Sequence, residues 1–565
     1  MLIRGDFKKY GRLEFVFDGE IDYIKICRPD GVEDIAYSFL YQPVGISYDE
    51  EGTENVTLNG NEEYMCRYTP DFVGDAEVKA FSGKKEICTE NIKINPSDSH
   101  GYVEVSKQGG KYFSYSDGTP FFSIGINLAF PTSYGKSDGT EFGLSGAYKF
   151  IGLRQYERWF KKCSENGVNV ARVWVGHEYF CPDTENTYEF KYDRFTIIDK
   201  LFELAKKYSV KLKITLEQFR NFDYERIANS NSYDDDVFRK FNKRLYDNKK
   251  RCESANEWLT DDRWTMAWLA KVYEFAKRYS GDTAVFAIEL WNEMNCVGDF
   301  EKRNDIIEWN KRVLPKVKEM FPKNLVINSL GSLDCEIWKE FYDKFCWNKS
   351  DFVQIHRYLD QGAAFDDCND NPIEMIRGAF EKIHTEKPIF IAETGAVNNC
   401  HSGPFKYYPC DDRGIIFADT VYTPVFLKSC GAGNIWHWDD RYVESKNLYG
   451  MYKPLADLVS SVDFANENFE SADMSDDKVT AILLKGKTVV LGYIRNKSDN
   501  WKNTLRDMNE PETVGSFEVK IKGADDIRIF KIWENDTVSC KIVNESAVFE
   551  NIRFGAIFKI NVGCK

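Results

Sequence analysis

Residues 286–295 read FAIELWNEMN. The stretch begins as an apolar run and ends on a polar pair, Asn292 and Glu293. A short apolar run bounded by polar residues is the pattern of a strand buried on both faces. A carboxylate at the end of such a run is costly to bury unless a partner or a reaction uses it. Glu293 therefore calls for a second group to work with.

Seven further runs of the same kind lie on either side. They are FFSIGIN (121–127), VNVARVWV (168–175), VKLKITLEQF (210–219), NLVINSL (324–330), DFVQIHRY (351–358), PIFIAETG (388–395) and GNIWHWDD (433–440). Amphipathic stretches between them predict helices over 154–166, 194–208, 261–279, 302–320, 335–345, 372–385 and 419–429. Eight strand–helix units over about 119–460 predict an α/β fold, a (β/α)8 barrel with long loops. A doubly wound sheet is the alternative. It rarely needs eight strands, and no Gly-rich phosphate turn follows the first run.

Both ends of the chain read differently. Residues 1 to about 95 carry short strand patterns such as LEFVFDGE, IDYIKICRPD and EICTENIKI, separated by Gly, Pro and Asn-Gly turns. Strand patterns return beyond about 465, as in KVTAILLKGKTVVLGYIRN and SFEVKIKG. The predicted organisation is an Ig-like β-sandwich over 1–97, the barrel over 98–463 and a second all-β sandwich over 464–565. The polar segment 222–260 is expected to form a loop subdomain, as a lid beside the site or a solvated insertion.

Composition narrows the function. The net charge of −15 lacks the basic footprint that nucleic acid or an anionic membrane surface requires. No segment approaches 18 consecutive apolar residues, so no membrane span is expected. The 15 cysteines are scattered, with no CxxC pair or zinc-type spacing, which suits reduced thiols. The first twenty residues show no apolar core of a signal peptide. The expected location is cytoplasmic, or secreted if a signal has been removed. Aromatic content is 15%, with Trp 13, Tyr 31 and Phe 41, enough to fill a core and to stack on sugars or bases.

Active sites of (β/α)8 barrels lie at the C-terminal ends of the strands. The fourth run ends in Asn292-Glu293 and the seventh in Glu393. These two glutamates would face each other across the barrel mouth, and one neutral with one ionised can flank a glycosidic bond. His356 and Tyr358 lie two apart and share one face of their strand, as do Trp436 and Trp438. His177, His356 and His437 all fall at predicted strand C-termini. No HxH pair links His177 and His356 as metal ligands, so no metal or cofactor is expected. Asn127 and Glu217 end the first and third strands, each as a substrate contact or a structural brace.

The motifs ELWNEMN and IFIAETG resemble the acid/base and nucleophile motifs of the large clan of retaining (β/α)8 glycosidases that includes glycoside hydrolase family 5. NVARVW, HRY and IWHWDD continue the resemblance in the same order, over roughly 340 residues. The flanking β domains resemble those of a bacterial subgroup of that clan. The resemblance implies a retaining β-glycosidase with Glu393 as nucleophile and Glu293 as general acid, then base. Arg172 would hold the nucleophile with Tyr358, and Asn292 would bind the sugar 2-OH. One of Trp436 and Trp438 would floor the sugar at the cleaved bond. The expected partner is a carbohydrate, with exo action on glucosides, mannosides or galactosides. Endo-β-glucanase or endo-β-mannanase action is an alternative, as is a non-catalytic carbohydrate-binding protein. The sequence leaves oligomeric state open.

Overall fold

The computed structural model describes residues 1–131, 150–177, 179–184, 188–218, 255–296, 303–345, 347–399 and 403–563. Of the predicted loop subdomain at 222–260, only the short helix Ala255–Thr260 lies among them.

Five strands pair in parallel and in chain order: β1 (Gly125–Asn127), β2 (Val170–Trp174), β3 (Lys211–Thr215), β4 (Val285–Glu289) and β5 (Leu325–Ile327). β6 (Val353–His356) and β7 (Ile389–Glu393) form a second parallel pair. The Asp351 amide, donating to Val326 O at 3.0 Å, ties the approach of β6 to β5. The 430–436 segment closes the ring. Cys430 N and Asn434 N donate to Ile389 O and Ile391 O at 2.9 and 3.0 Å. On the other side Ala432 N donates to Ser123 O at 2.9 Å, and Asn127 N to Ile435 O at 3.3 Å. The closure needs a bare backbone at Gly431, where a Cβ would meet the Phe390 ring at 2.5 Å and Ser123 O at 2.8 Å.

β2 and β4 are buried at every position, as strands enclosed by helices must be. The helices are α1 (Leu153–Glu165), α2 (Tyr192–Lys207), α3 (Asp262–Tyr279), α4 (Arg303–Met320), α5 (Glu336–Lys344), α6 (Pro372–Lys382) and α7 (Ile415–Val421). α1 shows why they pack: Leu153, Tyr156, Trp159, Phe160 and Cys163 recur at helical spacing and are all buried. Among the described residues no helix is long and apolar enough to cross a membrane.

The N-terminal residues form two four-stranded antiparallel sheets. Leu2–Gly5, Leu13–Phe17, Glu63–Tyr68 and Phe39–Tyr41 make one; Lys85–Ile94, Gly74–Ser82, Tyr23–Cys27 and Glu33–Tyr37 make the other. Alternate residues of both, among them Phe15, Ile24, Ile26 and Val78, share one core. A hairpin of Val44–Tyr48 and Glu54–Leu58 leaves this layer and buries Val44 in the core of the barrel.

The C-terminal residues form a five-stranded and a three-stranded sheet. The larger sheet is covered on both faces. Ala481, Leu483 and Ile494 face the smaller sheet, whereas Ile482, Leu484, Leu491 and Tyr493 join the core of the barrel. This accounts for the unbroken apolar runs AILL and VVLGYI.

Candidate active site

The end of β4 turns sharply. Glu293 holds φ +47°, a left-handed conformation that costs a non-glycine residue about 1–3 kcal/mol. Asn328 and Ser329, just beyond β5, hold it there. Trp291 N donates to Asn328 Oδ1 at 3.0 Å and Glu293 N to Ser329 Oγ at 2.9 Å. Ser329 Oγ in turn donates to Trp291 O at 3.0 Å. The strain turns the Glu293 carboxyl toward β6 and β7.

There it meets His356. Nδ1 of His356 lies 2.8 Å from Glu293 Oε1 and 3.4 Å from Glu393 Oε2. An oxygen of Glu293 and one of Glu393 lie within 4.8 Å of each other. Tyr358 OH donates to Glu393 Oε2 at 2.6 Å, and Arg172 Nη1 donates to Glu393 Oε1. The same guanidinium grips Glu289 through Nε at 2.8 Å and Nη2 at 2.7 Å. Its Nη2 also donates to Asn292 Oδ1 at 2.5 Å. Asn292 Nδ2 is buried with no partner among the described residues, a donor left for something else.

Burial and charge set the protonation of these groups. Burial, then the neighbouring Glu393 charge, hold the Glu293 carboxyl well above its ordinary value. Glu393 is also raised by burial, against the pull of Arg172 and Tyr358. Arg172 and Tyr358 both reach Glu393, as expected, and burial opposes them. Within the pair the proton belongs on Glu293, since the guanidinium and phenol act on Glu393. Burial, reinforced by Arg172, holds His356 well below its usual value, so the imidazole is neutral. Burial raises Glu289 too, but Arg172 and Lys213 overcome it and leave that carboxylate well below the usual range.

Glu293, His356 and Glu393 are close enough to share a cation. Both Glu393 oxygens already accept hydrogen bonds, and Arg172 places a fixed positive charge beside them. The donor set therefore suits a protonated carboxyl facing a carboxylate better than a metal ion.

The remaining predicted residues divide. Trp436 is 8% exposed, and its ring lies 5.0 Å from that of Trp174. Trp438 does not share its face. Trp438 N donates to Trp436 O at 2.9 Å, a three-residue turn that breaks the two-residue alternation of a strand. Trp438 is instead fully buried against Phe130 and Trp159. Asn127 braces the seam, its Nδ2 donating to Ala392 O, Asn434 O and Ile435 O and its Oδ1 accepting from Arg172. Glu217 is buried and paired with Lys271 of α3, while its carbonyl accepts from Asn292 N at 2.8 Å. His177 stacks on Phe130 at 4.6 Å and is driven down to about 3 by burial. His437 is buried against the Tyr408 ring.

Sequence reasoning passed over Glu289 and Lys213. Each is a charge inside an apolar run, a signal that a buried partner exists. Cys296, with Sγ 3.9 Å from Glu293 Oε2, was also passed over.

The family model for Cellulase (glycosyl hydrolase family 5) matches residues 136–413. A curated relative is "Probable mannan endo-1,4-beta-mannosidase F" of Aspergillus flavus, 24% identical over 221 residues, which are 34% of this chain and 43% of that protein. The protein of the same name from Aspergillus oryzae matches equally. The chain thus spans less than half the length of these relatives. A crystal structure of a Bacteroides vulgatus ATCC 8482 protein classed with the glycoside hydrolases superimposes with a TM-score of 0.57 at 13% identity, covering 99% of both chains. That likeness is one of fold.

Proposed function

We propose that this chain, whose barrel belongs to glycosyl hydrolase family 5, is a retaining β-glycosidase acting by double displacement. The supporting observation is the approach of Glu293 and Glu393 oxygens to within 4.8 Å. Retaining enzymes hold their carboxyl groups about 5–5.5 Å apart, whereas inverting enzymes need about 6.5–9.5 Å to admit a water.

The chemistry follows from the placement. Glu393, held by Arg172 and Tyr358, attacks the anomeric carbon. Glu293, neutral through burial and its anionic neighbour, protonates the departing oxygen. Once Glu393 becomes an ester its charge is gone. The repulsion that kept Glu293 protonated goes with it, so Glu293 becomes a base for the incoming water. Asn292 Nδ2, buried without an acceptor, is placed in our reading at the sugar 2-OH. Trp436 floors the sugar.

We read the substrate as β-linked oligosaccharides cut from their ends, with β-mannosides first among them. The names of the two curated relatives favour that sugar and also favour endo action on mannan as the second reading. The terminal sheets are read as β-sandwiches that scaffold the barrel, and the compartment as the cytoplasm.

A panel of nitrophenyl β-glycosides, run with wild type and Glu393→Ala, tests the activity. Hydrolysis of one sugar with first release of the β-anomer by NMR is expected. Sugar binding without release by wild type would overturn the reading in favour of a binding protein. Monosaccharide as sole early product from mannooligosaccharides supports exo action, and mixed oligomers support endo action.

A further inference from the structure

Beneath the carboxylate pair lies a second pair of charges that the proposed reaction does not use. Lys213 on β3 and Glu289 on β4 are both fully buried. Lys213 Nζ lies 3.0 Å from Glu289 Oε2 and also donates to Gln354 Oε1 on β6. Arg172 spends its five N–H donors on four acceptor residues: twice on Glu289, once each on Asn292 and Glu393, and once on Asn127. Two cations, Arg172 and Lys213, thus balance two carboxylates, Glu289 and Glu393, all four of them buried.

We propose that Lys213 is a positioning residue that neutralises Glu289, so that the charge of Arg172 stays committed to Glu393. The inference rests on Glu393 being the nucleophile. Without Lys213, a single guanidinium faces two buried carboxylates and clasps Glu289 with two of its donors. Glu393 then loses the larger share of its counter-charge. Its other neighbours do not replace that charge: Tyr358 and His356 are neutral, Glu293 is a like charge when ionised, and Asp334 adds further negative charge near Glu293. Burial brings Lys213 down to about 8, so the balance holds at neutral pH and fails above it.

Lys213→Met removes the cation and keeps the bulk. The expected result is an acid limb of kcat/KM moved up by about one pH unit, a tenfold loss at the foot of the limb. Lys213→Met/Glu289→Gln restores the balance of one cation to one carboxylate, and the limb is expected to return. A merely structural role for Lys213 predicts no such return. The same order is expected in the Glu393 midpoint read by 13C-carboxyl NMR on glutamate-labelled protein, with the peak assigned from Glu393→Gln. That readout needs no turnover, so failure of the glycosidase reading is told apart from failure of this one. If Lys213→Met does not fold, Lys213→Gln removes the same charge while keeping a hydrogen bond to Gln354. An unchanged Glu393 midpoint on loss of the cation, or no return in the double variant, overturns the proposal.

Discussion

Glu293 Oε1 and Glu393 Oε2 both reach one atom, Nδ1 of His356, at 2.8 and 3.4 Å. One ring nitrogen therefore cannot serve both carboxyl groups equally. It lies nearer the oxygen of Glu293, while Arg172 and Tyr358 hold Glu393. The two glutamates are thereby made unequal by their surroundings.

That inequality predicts different kinetic losses. Glu393→Gln removes the attacking group and is expected to abolish turnover of every glycoside. Glu293→Gln removes only proton transfer, worth about 10²–10⁴ in rate. Its loss in kcat/KM is expected in full with a disaccharide and to shrink with a dinitrophenyl glycoside, whose leaving group needs no proton. Steady-state kinetics on both substrates decides it; equal losses would remove Glu293 from the acid role.

The raised Glu293 carboxyl also makes the site a cost to stability. A carboxyl whose folded value exceeds its unfolded one binds more protons when folded. Its contribution is full below the unfolded value of about 4.3 and is lost as pH rises toward the folded value. Glu293→Gln carries no such charge. The variant is expected to melt above wild type at pH 7 and level with it near pH 4. Calorimetry across that range checks it, and a pH-independent difference would contradict it.

Much of this arrangement can be read in the sequence, for physical reasons. Strands enclosed by helices are continuous apolar runs, so all eight stand out, and a carboxylate ending such a run marks Glu293 and Glu393. Orientation is harder. The position of Asn127 leaves a substrate contact and a structural brace equally open; its amide faces the barrel seam, a fact fixed by β7 and the closing segment rather than by β1. The alternation linking Trp436 to Trp438 fails because the backbone turns at His437. Strand 44–48 sends its apolar residues into the core of the barrel rather than that of its own layer, a destination no local pattern encodes.

The hairpin that carries Glu54 tests how the N-terminal layer is joined to the barrel. Glu54 Oε2 accepts from Leu153 N at 2.7 Å, the first residue of α1, and from Tyr48 OH at 3.0 Å. Oε1 accepts from Tyr179 OH at 2.5 Å. α1 has no side-chain cap of its own, so a residue from another layer performs that task. Glu54→Ala is expected to cost about 1–3 kcal/mol, because Tyr179 and the helix end lose a buried acceptor. Urea unfolding measures it, and a loss within error of zero would mean water replaces the carboxylate.

Arg67 and Asp199 make the second joint, and pH reports on it. Arg67 of the N-terminal layer meets Asp199 of α2 through Nη1 at 2.5 Å and Nη2 at 2.8 Å. Tyr279 OH adds a third bond to Asp199 at 2.8 Å. Burial raises Asp199, but the charge and hydrogen bonds of Arg67 outweigh it and leave the carboxyl below its ordinary value. A depressed carboxylate contributes stability above the unfolded value of about 3.9, and that contribution is lost as pH falls through the folded value. Asp199→Asn leaves the buried Arg67 guanidinium with Glu14 alone as counter-charge, on Nε at 3.0 Å, and is expected to cost up to about 3–5 kcal/mol. The melting gap between wild type and variant is expected to be wide at pH 7 and to narrow below about pH 4. Replacing both partners, Arg67→Met with Asp199→Leu, is expected to recover most of the loss, since Glu14 keeps Arg4 and Arg12 and no buried charge is left alone. A gap that stays constant into acid would place the stabilisation in packing instead of charge.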